Sequence, residues 1–413
     1  MRHPLRLLAL TLALFGFAAA QDVTLDALFM QQAAYSNDDI RNMTAEFEAQ
    51  HPGVTVELEF VSYEALHNKI VTAAAAGSGG YDVVLFDVIW PAEFAEYGIL
   101  VDLTDRISQE TIDAVVPGAW TTVMSEDRYY GMPWILDTKY LFFNRTMLAD
   151  AGFDAPPATW QELLDQARAI KEKGIVEYPI VWSWAQAEAM VCDYTTLLSA
   201  YGGDFFDGAE PVFQQDGGLE ALRFMTDSLE AGLSNPSSTE SLEEDVRRIF
   251  SSGEAAFALN WTYMYNLAND PAESQVAGQV GVAPAPGVEG VSELSAMNGS
   301  MGLGVTTTSE HPDLAYEYVA YLTSRPVQER YARLSLPIWE ASYDEPAVVE
   351  GQEDLVAAAK QALGAMYPRP LMIQYPEFST VLQEQLQSAL LGQVTPEEAL
   401  TATAQQVRER GLR

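Results

Sequence analysis

Tyr81-Asp82-Val83-Val84-Leu85-Phe86-Asp87 is an almost unbroken apolar run closed by a carboxylate. Such a run is expected of a strand buried on both faces, which places it at the centre of a covered, largely parallel sheet. On its N-terminal side, Glu64 to Ala76 has helical character and stops at Gly77-Ser78-Gly79-Gly80. Before that, Val54, Val56, Leu58 and Phe60 alternate with Thr55, Glu57 and Glu59, the pattern of a half-buried strand. His51-Pro52-Gly53 breaks a preceding helix over Asp38 to Gln50, whose Ile40, Met43 and Phe47 share a face. Val23 to Phe29 reads as the first strand. Strand, helix, strand, helix, strand is the rhythm of an α/β fold.

The rhythm resumes beyond residue 140. Thr159 to Lys173 is a helix in which Thr159 caps forward and Glu162 reaches back, with Trp160, Leu163, Leu164, Ala167 and Ile170 as its buried stripe. Tyr178 to Trp184 and Ala255 to Leu259 read as strands. Helices are expected near 186–201, 217–231 and 240–252. Thr395-Pro396-Glu397-Glu398 starts a last helix running to about Glu409. At 413 residues the chain holds two medium lobes. No Gly/Ser/Pro-rich linker separates them, so the chain is expected to cross between lobes more than once, and such crossings act as hinges.

Residues 1–20 differ in kind. Arg2 and Arg6 precede the apolar run Leu7 to Phe17 and the small residues Ala18-Ala19-Ala20, the layout of a secretory signal peptide. The run is shorter than the roughly 20 residues of a membrane anchor. No cysteine follows the cleavage point, so a lipid anchor is not expected, and the mature chain reads as a soluble monomer in the periplasm or outside the cell, without stable membrane insertion. Losing Arg2 and Arg6 takes the formal charge from −37 to −39. A surface this negative repels phosphate backbones, which argues against nucleic-acid partners. Cys192 is the single cysteine, so no internal disulfide can form.

In open α/β sheets ligands sit beyond the carboxyl ends of the strands. Those positions repeat one chemistry, a carboxylate or amide beside Trp or Tyr. Asp87 and Trp90 follow Val83 to Phe86, and Trp134 and Asp137 follow Tyr129 to Pro133. Asn260, Trp261 and Tyr263 follow Ala255 to Leu259, while Tyr178 to Ile180 lead into Trp182 and Trp184. Gln32, Tyr35 and Asn37 follow the first strand. Ionised carboxylates bind hydroxyls strongly without needing a countercharge in the ligand, and aromatic faces stack on the C–H faces of a sugar ring. Arg369, held between Pro368 and Pro370, adds a rigid multi-donor fork. G-x-S-x-G, G-x-x-x-x-G-K-[ST] and H-E-x-x-H are missing, and His51, His67 and His311 have no metal-ligand spacing. The site is therefore read as binding, with no catalytic residue, metal or cofactor.

These residues resemble the extracellular solute-binding proteins of carbohydrate ABC transporters, the group containing the maltose- and trehalose/maltose-binding proteins. The resemblance runs through Thr44-Ala45-Glu46-Phe47-Glu48 with His51-Pro52-Gly53-Val54, Tyr81 to Asp87, and Tyr130-Gly131-Met132-Pro133-Trp134. It continues through Tyr140-Leu141-Phe142-Phe143-Asn144, Thr159-Trp160-Gln161-Glu162-Leu163, Gly253-Glu254-Ala255-Ala256-Phe257 with Trp261, and Ala315-Tyr316-Glu317-Tyr318-Val319 with Leu322-Thr323-Ser324. It implies a periplasmic-binding-protein fold with discontinuous lobes, residues 22–136 plus 284–325 and residues 137–283 plus 326–413, with hinge crossovers near 136–140, 283 and 325. It implies a sugar or polyol in the cleft, and docking on permease subunits driven by an ATPase. Asp87, Asp137, Trp261 and Arg369 match residues that line the family's cleft, and Gln32, Tyr35 and Asn37 fall in a loop that usually contributes a contact. The loop Met297-Asn298-Gly299-Ser300-Met301 lacks an aromatic often found there, which counts against a disaccharide and leaves a monosaccharide or polyol open. A polyamine receptor, suggested by the net charge, and a secreted carbohydrate-active enzyme are the alternatives.

Overall fold

The computed structural model describes residues 22–31, 34–77 and 80–412. The expected signal peptide and Gln32 lie outside them. Two sheets organise the chain. The first takes β1 (Val23–Met30), β2 (Val54–Val61), β3 (Val83–Asp87) and β4 (Met132–Ile135) from the N-terminal part. The second takes β5 (Tyr140–Asn144), β6 (Ile180–Val181), β7 (Phe257–Asn260), β8 (Val280–Val288) and β9 (Ser292–Ser295), and β10 (Met301–Val305) returns to the first. The spatial orders are β2-β1-β3-β10-β4 and β9-β8-β5-β7-β6. β1 runs parallel to β2 and β3, whereas β10 enters antiparallel between β3 and β4. Every residue of β3 is buried, as its apolar run requires.

Helices cover both sheets. α1 (Asn37–Gln50) is capped by a reciprocal Ser36–Asp39 box and buries Ile40, Met43 and Phe47. α2 (Tyr63–Ala76) ends at Gly77, whose φ of 73° is the left-handed conformation glycine supplies. The second lobe carries α3 (Trp160–Glu172), α4 (Glu188–Ala200), α5 (Asp216–Glu230) and α6 (Glu243–Ser251). α7 (Pro312–Leu322) packs on β10, α8 (Glu353–Ala362) on β8, and α9 (Tyr375–Leu390) and α10 (Pro396–Arg410) close the chain against α4 and α5. At α3 the Thr159 hydroxyl accepts from the Glu162 amide as expected, but Glu162 reaches back to the amide of Ala158, one residue before the cap. Among the described residues no helix is long and apolar enough to cross a membrane.

The lobe boundaries differ from the expected ones at two crossings. Where the resemblance implies a crossing near 283, β8 continues to Val288, pairing Pro284 with Tyr140 and Ala285 with Ser295. The chain therefore passes between the sheets at 296–300. Residues after 325 also stay with the first lobe. The Gln328 amide donates to the Trp134 carbonyl, the Ile338 carbonyl accepts from the Val116 amide, and Trp339 bridges to Val115. The chain joins the second lobe at α8.

Candidate functional site

β3 ends in Asp87 and β7 in Asn260, and the residues beyond both strand ends face one cavity of about 290 Å3 between the lobes. Asp87, Tyr63 and Glu64 enter it from the first lobe, and Trp261, Tyr263, Glu188, Glu243 and Glu244 from the second. Asp137 and Gly299 line it from the two crossings, and Arg369 from the loop that leads into α9.

An ion triad spans the cavity. Arg369 Nη2 donates to Asp87 Oδ1 at 2.8 Å, and Nη1 donates to Glu188 Oε1 at 2.7 Å. The Arg369 side chain is 1% exposed, those of Asp87 and Glu188 7% and 10%. Burial alone would lower the Arg369 pKa, but the facing Asp87 leads the groups that hold it well above the ordinary value, so the guanidinium is permanently charged. Asp87 also accepts from the Tyr63 hydroxyl at 3.1 Å and the Ile89 amide at 3.2 Å. Glu188 occupies the first turn of α4, where the helix dipole favours an acid, and accepts from the hydroxyls of Tyr375 and Ser379. Arg369 Nε is buried and has no hydrogen-bond partner among the described residues.

Asp137 is satisfied by the protein itself. Oδ1 accepts from the Thr138 amide at 2.9 Å and the Thr262 hydroxyl at 2.6 Å, and Oδ2 from the Thr262 amide at 3.2 Å. Burial outweighs these donors and pushes its pKa up to about 7. Trp261 donates from Nε1 to Glu243 Oε1 at 3.2 Å, and its ring lies against Gly299. A Cβ added at Gly299 would come within 2.2 Å of the indole, so this close approach needs glycine. The Tyr263 hydroxyl points to Glu244 at 3.5 Å.

Of the residues expected at the site, the structure brings together Asp87, Asp137, Trp261, Tyr263 and Arg369. Trp134 and Tyr35 are elsewhere: they are 1% and 2% exposed and stack on each other at 4.8 Å in the first-lobe core, with Phe29 against Trp134. All four residues of β4 are buried, which takes Trp134 inward. Asn37 is the first residue of α1 and does not line the cavity. Trp182 and Trp184 stack at 4.9 Å and 6° inside the second lobe, where Trp182 Nε1 donates to Ser234. Glu188, Glu243 and Glu244 were missed. Glu188 and Glu243 each open a helix, where an acid is ordinarily read as complementing the helix dipole.

A sequence model of a family described as bacterial extracellular solute-binding protein matches residues 33–329. A probable ABC transporter-binding protein of Deinococcus radiodurans is 27% identical, the alignment covering 98% of this chain and 98% of that protein. Among solved structures, maltose-bound MalE3 of T. maritima is 31% identical with a TM-score of 0.87, covering 93% of this chain and 99% of that one. An ABC transporter solute-binding protein of Thermotoga lettingae bound with α-D-tagatose is 27% identical with a TM-score of 0.83, covering 94% and 99%.

Proposed function

The chain belongs to the bacterial extracellular solute-binding proteins, and from that premise we propose that it captures a neutral sugar or polyol in the interlobe cavity and delivers it to an ABC permease. One observation carries this reading: carboxylates, an indole and a fixed guanidinium from separate stretches of sequence line a single cavity of about 290 Å3. A polyhydroxy ligand uses all three. Its hydroxyls donate to Asp87 Oδ2, the Arg369 guanidinium fixes that carboxylate in place, and its C–H face lies on Trp261. Lobe closure removes the ligand from water and strengthens each of these bonds. By the same reading the chain is exported, its first twenty residues being removed.

Against a polyamine stand two cations already at the site, since Asp87 and Glu188 share Arg369 and the Trp261 ring has the Lys139 ammonium 4.9 Å from its centroid. Against a hydrolase stands the same triad. Both its carboxylates are tied to the guanidinium and to tyrosine or serine hydroxyls, whereas glycoside hydrolysis needs a pair of carboxyls free to act on the scissile bond. Calorimetry and thermal shift with maltose, tagatose, ribitol, mannitol and spermidine test the reading. Saturable binding of a neutral member without product formation supports it; binding of spermidine alone, or turnover of an oligosaccharide, overturns it.

A further inference from the structure

Lys139 lies two residues beyond Asp137, and its side chain is wholly buried. Its ammonium is 2.7 Å from Asp193 Oδ1, donates to Ser183 Oγ at 2.7 Å, and lies 3.5 Å from Glu243 Oε1. Glu243 Oε1 is the same oxygen that accepts from Trp261 Nε1, and the ammonium is also 4.9 Å from the Trp261 ring centroid. Asp193 accepts in addition from the Ser183 amide and hydroxyl. A buried ammonium with two carboxylates is not the cheapest way to fill this volume, because desolvation of ions in an interior costs several kcal/mol and well-packed apolar side chains do as well or better. What such a network supplies is a fixed geometry.

We propose that Lys139 is a positioning residue: through Glu243, and directly across the ring, it fixes the Trp261 indole as a preformed platform before ligand arrives. The inference rests on the receptor reading for what lies on the platform, but not for the platform itself. Asp193 anchors the ammonium from behind, the ammonium holds the Glu243 carboxylate, and that carboxylate holds the indole N–H. A ring oriented in the empty protein has less freedom to lose on binding, so part of the affinity comes from groups the ligand never touches.

The test uses Lys139→Met/Asp193→Asn, which removes the ion pair without leaving a lone buried carboxylate. The first readout is the 15N–1H indole spectrum of ligand-free protein, with eight tryptophans and the Trp261 signal assigned by Trp261→Phe. The Trp261 signal is expected to shift and broaden while the indole signals of the first lobe, that of Trp134 among them, hold. The second readout is maltose affinity, expected to weaken about tenfold, the scale of a lost desolvated cation–π contact and a loosened hydrogen bond. An unmoved Trp261 signal in a folded double variant overturns the proposal. Should that variant not fold, Glu243→Gln carries the same test, and an unmoved Trp261 signal there overturns it equally. Failure of the unaltered protein to bind maltose would bear on the ligand, and the spectrum of the empty protein would still decide the role of Lys139.

Discussion

Replacing Arg369 by Met tests how the cavity is held. The substitution keeps the length and apolar stem and removes a guanidinium that is 1% exposed and bonded to carboxylates of both lobes at 2.8 and 2.7 Å. Breaking a buried ion pair on one side costs about 3–5 kcal/mol when the stranded charges cannot reach water. Here they can, because Asp87 and Glu188 line a cavity between lobes, and opening rehydrates both. Tyr63 and the Ile89 amide remain on Asp87, and Tyr375 and Ser379 on Glu188. The cost therefore sits near the bottom of the range, about 3 kcal/mol, and falls on closure instead of folding. Ligand affinity should drop on the order of a hundredfold. Unfolding of the empty variant should stay within about 2–4 °C of the parent, the shift that roughly 1 kcal/mol produces in lobes of this size. Calorimetry with a sugar that binds the parent, beside thermal unfolding without it, measures the two parts. An Arg369→Met protein that binds within about threefold of the parent refutes the reasoning. A variant that melts far below it shows that the triad holds the fold and not the closure.

Four further outcomes follow from the geometry. Asp87→Ala should weaken sugar binding by about 1–3 kcal/mol, the loss of a charged hydrogen bond, read by titration calorimetry. Trp261→Ala should cost about 1–3 kcal/mol as well through lost stacking area, with no comparable change for Trp182→Phe, whose ring lies in the core. Gly299→Ala places a Cβ within 2.2 Å of the Trp261 ring and should reduce affinity at least tenfold while leaving the far-UV spectrum unchanged. For Asp137 the folded pKa of about 7 lies above the ordinary 3.8. Its contribution to stability is full below the lower value and is lost as pH rises through the upper one. Asp137→Asn should remove that loss, so the stability of the variant relative to the parent should rise between about pH 4 and 7 in denaturant melts.

How far the chain could be read from its residues depended on whether a feature is local. The run ending in Asp87 fixed a central strand, and its carboxylate is where strand-end logic put it. Trp261 and Tyr263 after β7 were found by the same rule. The rule fails where an aromatic sits inside a strand. Trp134 belongs to a four-residue strand buried on both faces, and adjacency to a strand end does not tell which way a side chain points. The crossing that the resemblance implies near 283 lies further on, because β8 runs through Pro284 and Pro286, held by pairing with Tyr140 and Ser295 that is not local. Glu188, Lys139 and Glu243 escaped for the same reason. Each is an ordinary charged residue until the fold brings it to Arg369 or Trp261 from far along the chain.

The central claim is that one crevice between the lobes binds a neutral polyhydroxy ligand. Titration of the parent protein and of Asp87→Ala/Trp261→Ala with a panel of neutral sugars and polyols tests it most directly. The account predicts saturable, micromolar or tighter binding of at least one member by the parent and its disappearance in the folded double variant. Binding that survives the loss of both residues, or a parent that binds none of the panel, contradicts it.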